Sequence, residues 1–571
     1  MQTRSFTPLH FALITVLAPA IFVSGAAIAA ETRVSVGSPP TPFSQNKQNE
    51  PGLAVDANHP LVLAAGSNDL IDMEGCAAGD PTTCPFTQGV GVSGVYFSFD
   101  GGLTWRQPTY FSGWTARDCL GPAECVPHLG SIGTLPWYYE EGLVSDGDPA
   151  LAFGPRPDAD GRFSWANGSR LYYANLAANF TSERNEQAFK GFEAVAVSRT
   201  DNVAGAALGD KNAWMRPVIV SRQNAALFSD KEAIWADNAQ SSPFFGNVYL
   251  CNVAFRSAGL GGAPEPVLLA RSTDGGNTWT TRQLSPAANT VGAGKSGGRQ
   301  GCTVRTDSQG IVYAFWNGGV NNQSVQLLAR SFDGGKNFER ARVAATVIEV
   351  GAFDPATGDF TFDGVAGART DSFPGVDIAN GAPLGTDATN RIVLAWSDAR
   401  HGLNHEEALV QSSDDRGQTW SAPVNGAASG ERPDFAAVAI APDGSSVYLT
   451  YMNFQTPWQS TTASPRLMQG VLRKTNAADL SAWTTLNIGP VGDARGSSAN
   501  SLTSEFLGDY NSVVATRSYG FAVWNDVRNA ADCPAIDAWR QSRIDGTSVA
   551  KPAPATDCPA RFGNSDIFGS P

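Results

Sequence analysis

One pattern occurs four times along the chain and constrains its fold more than any other feature. The copies read Ser98-Phe-Asp100-Gly-Gly102-Leu-Thr104-Trp105, Ser272-Thr-Asp274-Gly-Gly276-Asn-Thr278-Trp279, Ser331-Phe-Asp333-Gly-Gly335-Lys-Asn337-Phe338 and Ser413-Asp-Asp415-Arg-Gly417-Gln-Thr419-Trp420. The consensus S-x-D-x-G-x-T-W suits a hairpin tip. The Asp carboxylate accepts hydrogen bonds from its own turn, the Gly allows positive φ, and the Trp packs on the sheet beside it. Asp100, Asp274, Asp333 and Asp415 are therefore read as structural. A β-rich run such as Val267-Leu-Leu-Ala precedes each copy.

A longer period surrounds these tips. Seven strand openings recur at intervals of roughly 60 to 100 residues: Glu50-Pro-Gly-Leu, Asp148-Pro-Ala-Leu, Asp230-Lys-Glu-Ala, Gly301-Cys-Thr-Val, Phe373-Pro-Gly-Val, Arg432-Pro-Asp-Phe and Asp509-Tyr-Asn-Ser. Second strands such as Ile311-Val-Tyr-Ala-Phe-Trp and Ile392-Val-Leu-Ala-Trp follow them. A period of this kind means repeated units that bury their faces against one another. The 60 Gly and 35 Pro among 571 residues fit short strands and many turns.

The four tips resemble the Asp box, or bacterial neuraminidase repeat, of sialidase-like β-propellers. The resemblance implies an all-β chain of four-stranded antiparallel blades. Seven blades match the openings, and six, as in the sialidases it resembles, is the alternative. The expected organisation is an exported leader over 1–30, a segment over 31–47 whose Arg33-Val-Ser-Val closes the ring, a propeller over 48–545, and a tail over 546–571 pinned by cysteines. The leader reading rests on Arg4, the uncharged run Phe11–Ala30 and the closing Ala27-Ile28-Ala29. An exported product, periplasmic or extracellular and without a membrane span once the leader is removed, follows.

The net charge of −14 argues against a general nucleic-acid binder and against adhesion to anionic membranes. Export permits disulfides among the eight cysteines. Spacing suggests Cys76/Cys84, Cys119/Cys125 and Cys533/Cys558, leaving Cys251 and Cys302 to link neighbouring units. No CxxC occurs, so zinc is not expected. Calcium is conceivable at Asp354, Asp359 and Asp363, but their spacing matches no calcium motif. No cofactor is expected, and the chain is read as a monomer.

Strand parity places the Asp boxes on one face of a propeller. The starts of the innermost strands and the loops between second and third strands share the other face, around the channel. A ligand site belongs there. That face collects Glu50, Asp148, Asp230, Lys231, Glu232, Arg299, Asp371, Arg432, Asp434, Asp509 and Tyr510. The loops add Arg256 and the echoed pairs Asp398/Arg400 and Asp526/Arg528, the pairs being read first as salt bridges within their own turns. Long loops bring Trp114, Trp137, Tyr138, Tyr139 and Trp458, whose rings suit packing or a sugar.

Sialidases combine an arginine clamp, a Tyr nucleophile assisted by Glu, and an Asp acid/base, outside the two-carboxylate scheme. The resemblance therefore implies Tyr510 as nucleophile, Glu505 as its base and Asp148 or Asp230 as acid. Arg299, Arg400, Arg432 and Arg528 would bind the substrate carboxylate, with Lys231 and Glu232 beside them. The Phe-Arg-Ile-Pro motif of the first sialidase blade is replaced by Asn49-Glu50-Pro51-Gly52, so no first clamp arginine transfers. Three functions follow: a glycoside hydrolase for sialic acid or another acidic sugar, a non-catalytic propeller that binds glycan or protein, and a plain scaffold. The expected partner is a carbohydrate or glycoconjugate.

Overall fold

The computed structural model describes residues 1, 31–38, 48–74, 89–119, 126–221, 224–255, 266–286, 300–499 and 501–571. Seven antiparallel sheets form a ring, a seven-bladed β-propeller. Blade 1 comprises Gln48–Val55, Leu63–Asp69 and Ser93–Ser98, from the channel outward. Blade 2 is Ala150–Pro157, Phe163–Asn179, Ala194–Thr200 and Trp214–Ile219, with Leu143–Ser145 added on its second strand. Blade 3 is Phe228–Ala236, Val248–Phe255, Val267–Ser272 and Thr280–Gln283. Blade 4 is Gln300–Thr306, Val312–Val320, Gln323–Ser331 and Arg342–Val347. Blade 5 is Gly375–Ile378, Ile392–Asp398, Glu407–Ser413 and Val424–Asn425. Blade 6 is Pro433–Ile440, Ser446–Phe454, Leu467–Asn476 and Asp479–Ile488, with Gly492–Asp493 on its third strand. Blade 7 is Ser512–Ala515, Gly520–Asp526, Asp566–Ser570 and Thr32–Arg33. The blades thus carry three to five strands rather than a uniform four.

Blade 7 combines both ends of the described chain, with Thr32 paired to Gly569 and Arg33 to Phe568. The segment 546–571, read from sequence as a tail, contains the third strand of this blade. The correction has a simple cause. A long excursion, Val527–Ser565, holding the helix Pro534–Ile544 and the disulfide Cys533–Cys558, separates that strand from its partner. A second disulfide, Cys251–Cys302, ties the second strand of blade 3 to the innermost strand of blade 4. Cys76, Cys84, Cys125, Arg256 and Arg299 lie outside the described residues, as does the leader reading for 2–30. Among the described residues no helix is long and apolar enough to cross a membrane.

The core lies between blades. Trp316, Trp396 and Trp524 are fully buried at matching places on second strands, each large ring removing apolar area from water where two sheets face. Gly52 shows how closely the innermost strands approach one another. A Cβ there would stand 2.4 Å from the Pro149 carbonyl oxygen of the next blade.

The four repeated turns share one hydrogen-bond pattern. The Ser98, Ser272, Ser331 and Ser413 hydroxyls donate to Asp100, Asp274, Asp333 and Asp415 at 2.8–2.9 Å. Each Ser Oγ also accepts from the Gly four residues on, at 2.9 Å. The Asp accepts the backbone N–H and side chain of the residue four further along, such as Thr278 at 3.0 and 2.6 Å. In the third copy Asn337 stands for Thr, and its Nδ2 donates to Asp333 at 2.7 Å, so the altered copy keeps the lock. Pairings such as Val248 with Ser272 and Ala236 with Val248 put these turns at the ends of the innermost strands, opposite their starts.

Candidate functional site at the channel mouth

The starts of the innermost strands carry a repeated irregularity. Pairing shifts register between Asn49 and Gly52, Asp230 and Ala233, Gln300 and Thr303, and Asp434 and Ala437. Within these bulges Glu50, Lys231, Gly301 and Phe435 have φ of 55°, 53°, 62° and 54°, and Asp148 has 51° ahead of its strand. For a non-glycine residue this conformation costs about 1–2 kcal/mol. A bulge re-aims side chains and suits a site rim. Here it breaks the in-out alternation, so Asp230, Lys231 and Glu232 are all buried.

The resulting ring is a charge network. Lys231 Nζ pairs with Asp509 and lies 3.6 Å from Glu50 Oε1. Arg369 grips Asp509 with two hydrogen bonds of 2.8 and 2.7 Å. The Asp509 backbone N–H donates to Glu50 Oε1 (3.1 Å), and Asn68 Nδ2 donates to Glu50 Oε2 (2.9 Å). Asn68 Oδ1 accepts the Asp148 backbone N–H at 2.8 Å. Blades 1, 2, 3 and 7 are therefore stitched together at the mouth.

Environment separates these carboxyls. Burial raises Asp509, but Arg369 and Lys231 outweigh it and hold the group below the usual carboxylate range. Burial, with the adjacent Glu50, pushes Asp148 well up. Burial likewise raises Asp230, Glu232 and Asp434. Asp371, at the rim, stays exposed to solvent. Proton-holding and ionised carboxyls thus stand side by side, the condition for acid and base roles at one pH. The Tyr510 phenol is pushed up by burial and by Asp148, Glu50 and Glu232, and Lys231 Nζ sits 5.0 Å from its ring. Its hydroxyl makes no hydrogen bond to another described residue.

Below this rim lies a cavity of about 200 Å³ lined by Pro51, Lys231, Glu232, Phe373 and Tyr510. It continues past Leu53, Leu151, Ile234 and Arg305 into a second cavity of about 190 Å³ at the opposite mouth.

No protein-family model and no curated protein matches the chain. Among solved structures it is similar to the Hadza microbial sialidase Hz136, with 12% identity, 72% of this chain and 64% of that one covered, and a TM-score of 0.37. The Trypanosoma rangeli sialidase in complex with sialic acid gives 12% identity, 72% and 52% coverage, and 0.38. The GH93 alpha-L-arabinofuranosidase of Fusarium graminearum in complex with arabinobiose gives 16% identity, 48% and 70% coverage, and 0.29. The chain covers between half and two thirds of the length of these two sialidases.

Of the residues expected at the site, the ring brings together Asp148, Asp230, Lys231, Glu232 and Tyr510. Of the expected clamp, Arg299 lies outside the described residues and the other three arginines are engaged within their own turns or with buried acids. Arg400 is held by Asp398 at 2.8 and 3.0 Å, and Arg528 by Asp526 (2.7 Å) and Glu31 (2.7 Å). Arg432 is bonded to Glu406 at 2.9 and 3.2 Å and to the Phe362 carbonyl. Each guanidinium already has its carboxylate, which leaves little for a ligand.

Glu505 is a further correction. It is buried 3.4 Å from Arg466, beside Asp363 and Arg540, and burial with Asp363 raises its carboxyl. The acids facing Tyr510 are instead Asp148, Glu50 and Glu232, so chain proximity misassigned the base. Asp354 uses its carboxylate on the Ala356 and Ala366 amides, and Asp363 on the Ala368 amide. Among the described residues no group of acids, His and Cys is arranged for a metal. The loop aromatics pack on one another: Trp114 stacks on Tyr139, both meet Phe180 edge-on, and Trp137 lies against Lys211 and Arg216. Arg369 was missed because it lies in the segment between blades 4 and 5, outside the positions that strand parity surveys. Its one signal is closeness to the Asp371 opening.

Proposed function

We propose that the chain is an exported glycoside hydrolase of sialidase-like architecture, with its site at the acid-lined channel mouth. The observation that carries this reading is the unbonded Tyr510 hydroxyl facing Asp148, Glu50 and Glu232 above a cavity of about 200 Å³. In this scheme the Tyr510 oxygen attacks the anomeric carbon while its proton passes to Glu50, which is positioned by the Asp509 amide and Asn68 Nδ2. Asp148, holding a proton because of burial and its neighbour Glu50, gives that proton to the departing glycosidic oxygen as the C–O bond breaks. Water then cleaves the tyrosyl–sugar bond, with Asp148 as base and the Glu50 proton returning to Tyr510. Lys231 and Arg369 hold Asp509, and with it the neighbouring Tyr510, in place.

Support for sialic acid or another acidic sugar is thinner, since Arg400, Arg432 and Arg528 are engaged elsewhere. That same saturation favours the second reading, a propeller that binds glycan without cleaving it. Turnover of a fluorogenic glycoside panel that includes a sialoside, by the wild type, Tyr510→Phe and Asp148→Asn, separates the two. Cleavage lost in both variants supports the hydrolase. Glycan binding without turnover supports the binding propeller, and cleavage that survives Tyr510→Phe removes the nucleophile assigned here.

A further inference from the structure

Glu232 is the group at the mouth whose chemistry is left open. Its residue is 8% exposed and it lines the 200 Å³ cavity. Neither carboxylate oxygen accepts a hydrogen bond from another described residue, although both are buried. Burial favours the neutral carboxyl here, and a charge-assisted hydrogen bond, which restores about 1.5–3 kcal/mol, would favour the ionised form. The surrounding described residues therefore leave this carboxyl without a donor.

The surrounding charges say which kind of donor fits. Glu50, Asp148, Asp230 and Asp371 stand around the same mouth, and the nearest cations, Lys231 and Arg369, are both bonded to Asp509. Arg305, deeper in the cavity, is held by Asp377 at 3.3 Å and by the Val304 carbonyl at 2.9 Å, so among the described residues a carboxylate-bearing ligand would meet this negative field with each nearby cation already engaged. A neutral hydroxyl would satisfy a lone pair but leave the field unbalanced. An ammonium does both, with three N–H donors and a positive charge. We propose that the mouth takes a glycan bearing a free amine, as in a glucosamine unit, with the Glu232 carboxylate as the ammonium's partner. This rests on the carbohydrate reading above and narrows its substrate class to cationic sugars.

The test is calorimetric titration of the purified chain with a β-1,4-linked glucosamine trisaccharide, its fully N-acetylated counterpart and 3′-sialyllactose. The amine form is expected to bind at least about tenfold tighter than the N-acetylated form. In Glu232→Gln, which breaks no hydrogen bond of the fold, that ratio is expected to fall to within about twofold, with affinity for the N-acetylated sugar kept. Asp230→Asn, which thins the negative field beside Glu232, is expected to reduce the ratio part-way, and serves if Glu232→Gln does not fold. Equal or tighter binding of the N-acetylated or sialylated sugar overturns the proposal, as does a preference that survives both variants. Calcium chloride that binds alone and is lost in Glu232→Gln would assign the carboxylate to a metal and overturn it too. Tyr510-dependent turnover of sialyllactose would sink this inference while leaving the hydrolase standing. No binding by any of the three sugars would sink both.

Discussion

The two faces of the propeller use carboxylates in opposite ways. On the face of the repeated turns, Asp100, Asp274, Asp333 and Asp415 spend their oxygens on hydroxyls and amides of their own turn. The Thr419 side chain and amide hold Asp415 down to about 2, and amide and side-chain bonds from Asn337 outweigh partial burial to hold Asp333 there. At the mouth, Asp148, Asp230 and Glu232 are pushed up, and the Glu232 carboxyl takes no hydrogen bond from another described residue. The turns repeat in sequence because a hairpin needs the same bonds wherever it occurs. The mouth does not repeat, because each blade contributes a different group to one shared space. Polar groups that are fully satisfied stabilise the fold, and those left wanting point to a ligand.

The sharpest way to break this comparison is Tyr510→Phe. On a substrate that turns over, kcat is expected to fall about a thousandfold, with the melting temperature little changed because the lost hydroxyl has no bond to lose. Asp509→Asn comes next. It leaves Lys231 and Arg369 without their carboxylate and is expected to cost about 3–5 kcal/mol in chemical denaturation. Asp274→Ala, on the other face, is expected to cost about 1–2 kcal/mol with turnover unaffected. Loss of activity there would mean the faces are coupled.

The pH dependences should have opposite signs. The turn carboxylates lie below the ordinary value of 3.8 when folded, so their stabilisation is present above about pH 4 and is lost as pH falls toward 2. Asp148 is raised, so its contribution is present below about pH 4 and is lost as pH rises through its folded value. Asp148→Asn is expected to flatten the alkaline side of a stability–pH curve and leave the acid side unchanged. The smallest effect is expected from Arg400→Ala, about 0–1 kcal/mol, because the buried Asp398 keeps its bonds from Trp396 Nε1 and the Ile348 amide. A large loss of ligand affinity in that variant would restore the clamp.

Sequence reading reached the repeated turns, the seven blades and the face that carries the mouth, because these depend on local chemistry and strand parity. Asp148, Asp230, Lys231, Glu232 and Tyr510 were legible for the same reason, each lying at a strand opening. It failed where partners come from afar. Nothing near Arg432 in the chain announces Glu406 in the folded blade, and nothing near Arg528 announces Glu31. Glu505 lies five residues before Tyr510, yet the turn into the innermost strand sends the two into different clusters. The positive φ of Glu50, Lys231 and Phe435 was invisible because none of these residues favours that conformation; the ring imposes it.

The pairing of Thr32–Arg33 with Asp566–Ser570 has a consequence for when the mouth can form. The seventh blade is assembled from segments more than 500 residues apart, and such distant contacts form late in folding. Across the same seam the Asp509 amide reaches Glu50, and Lys231 draws both carboxylates together. A nascent or partly unwound chain therefore carries the residues of the mouth without the mouth itself. Closing the circle is what assembles it.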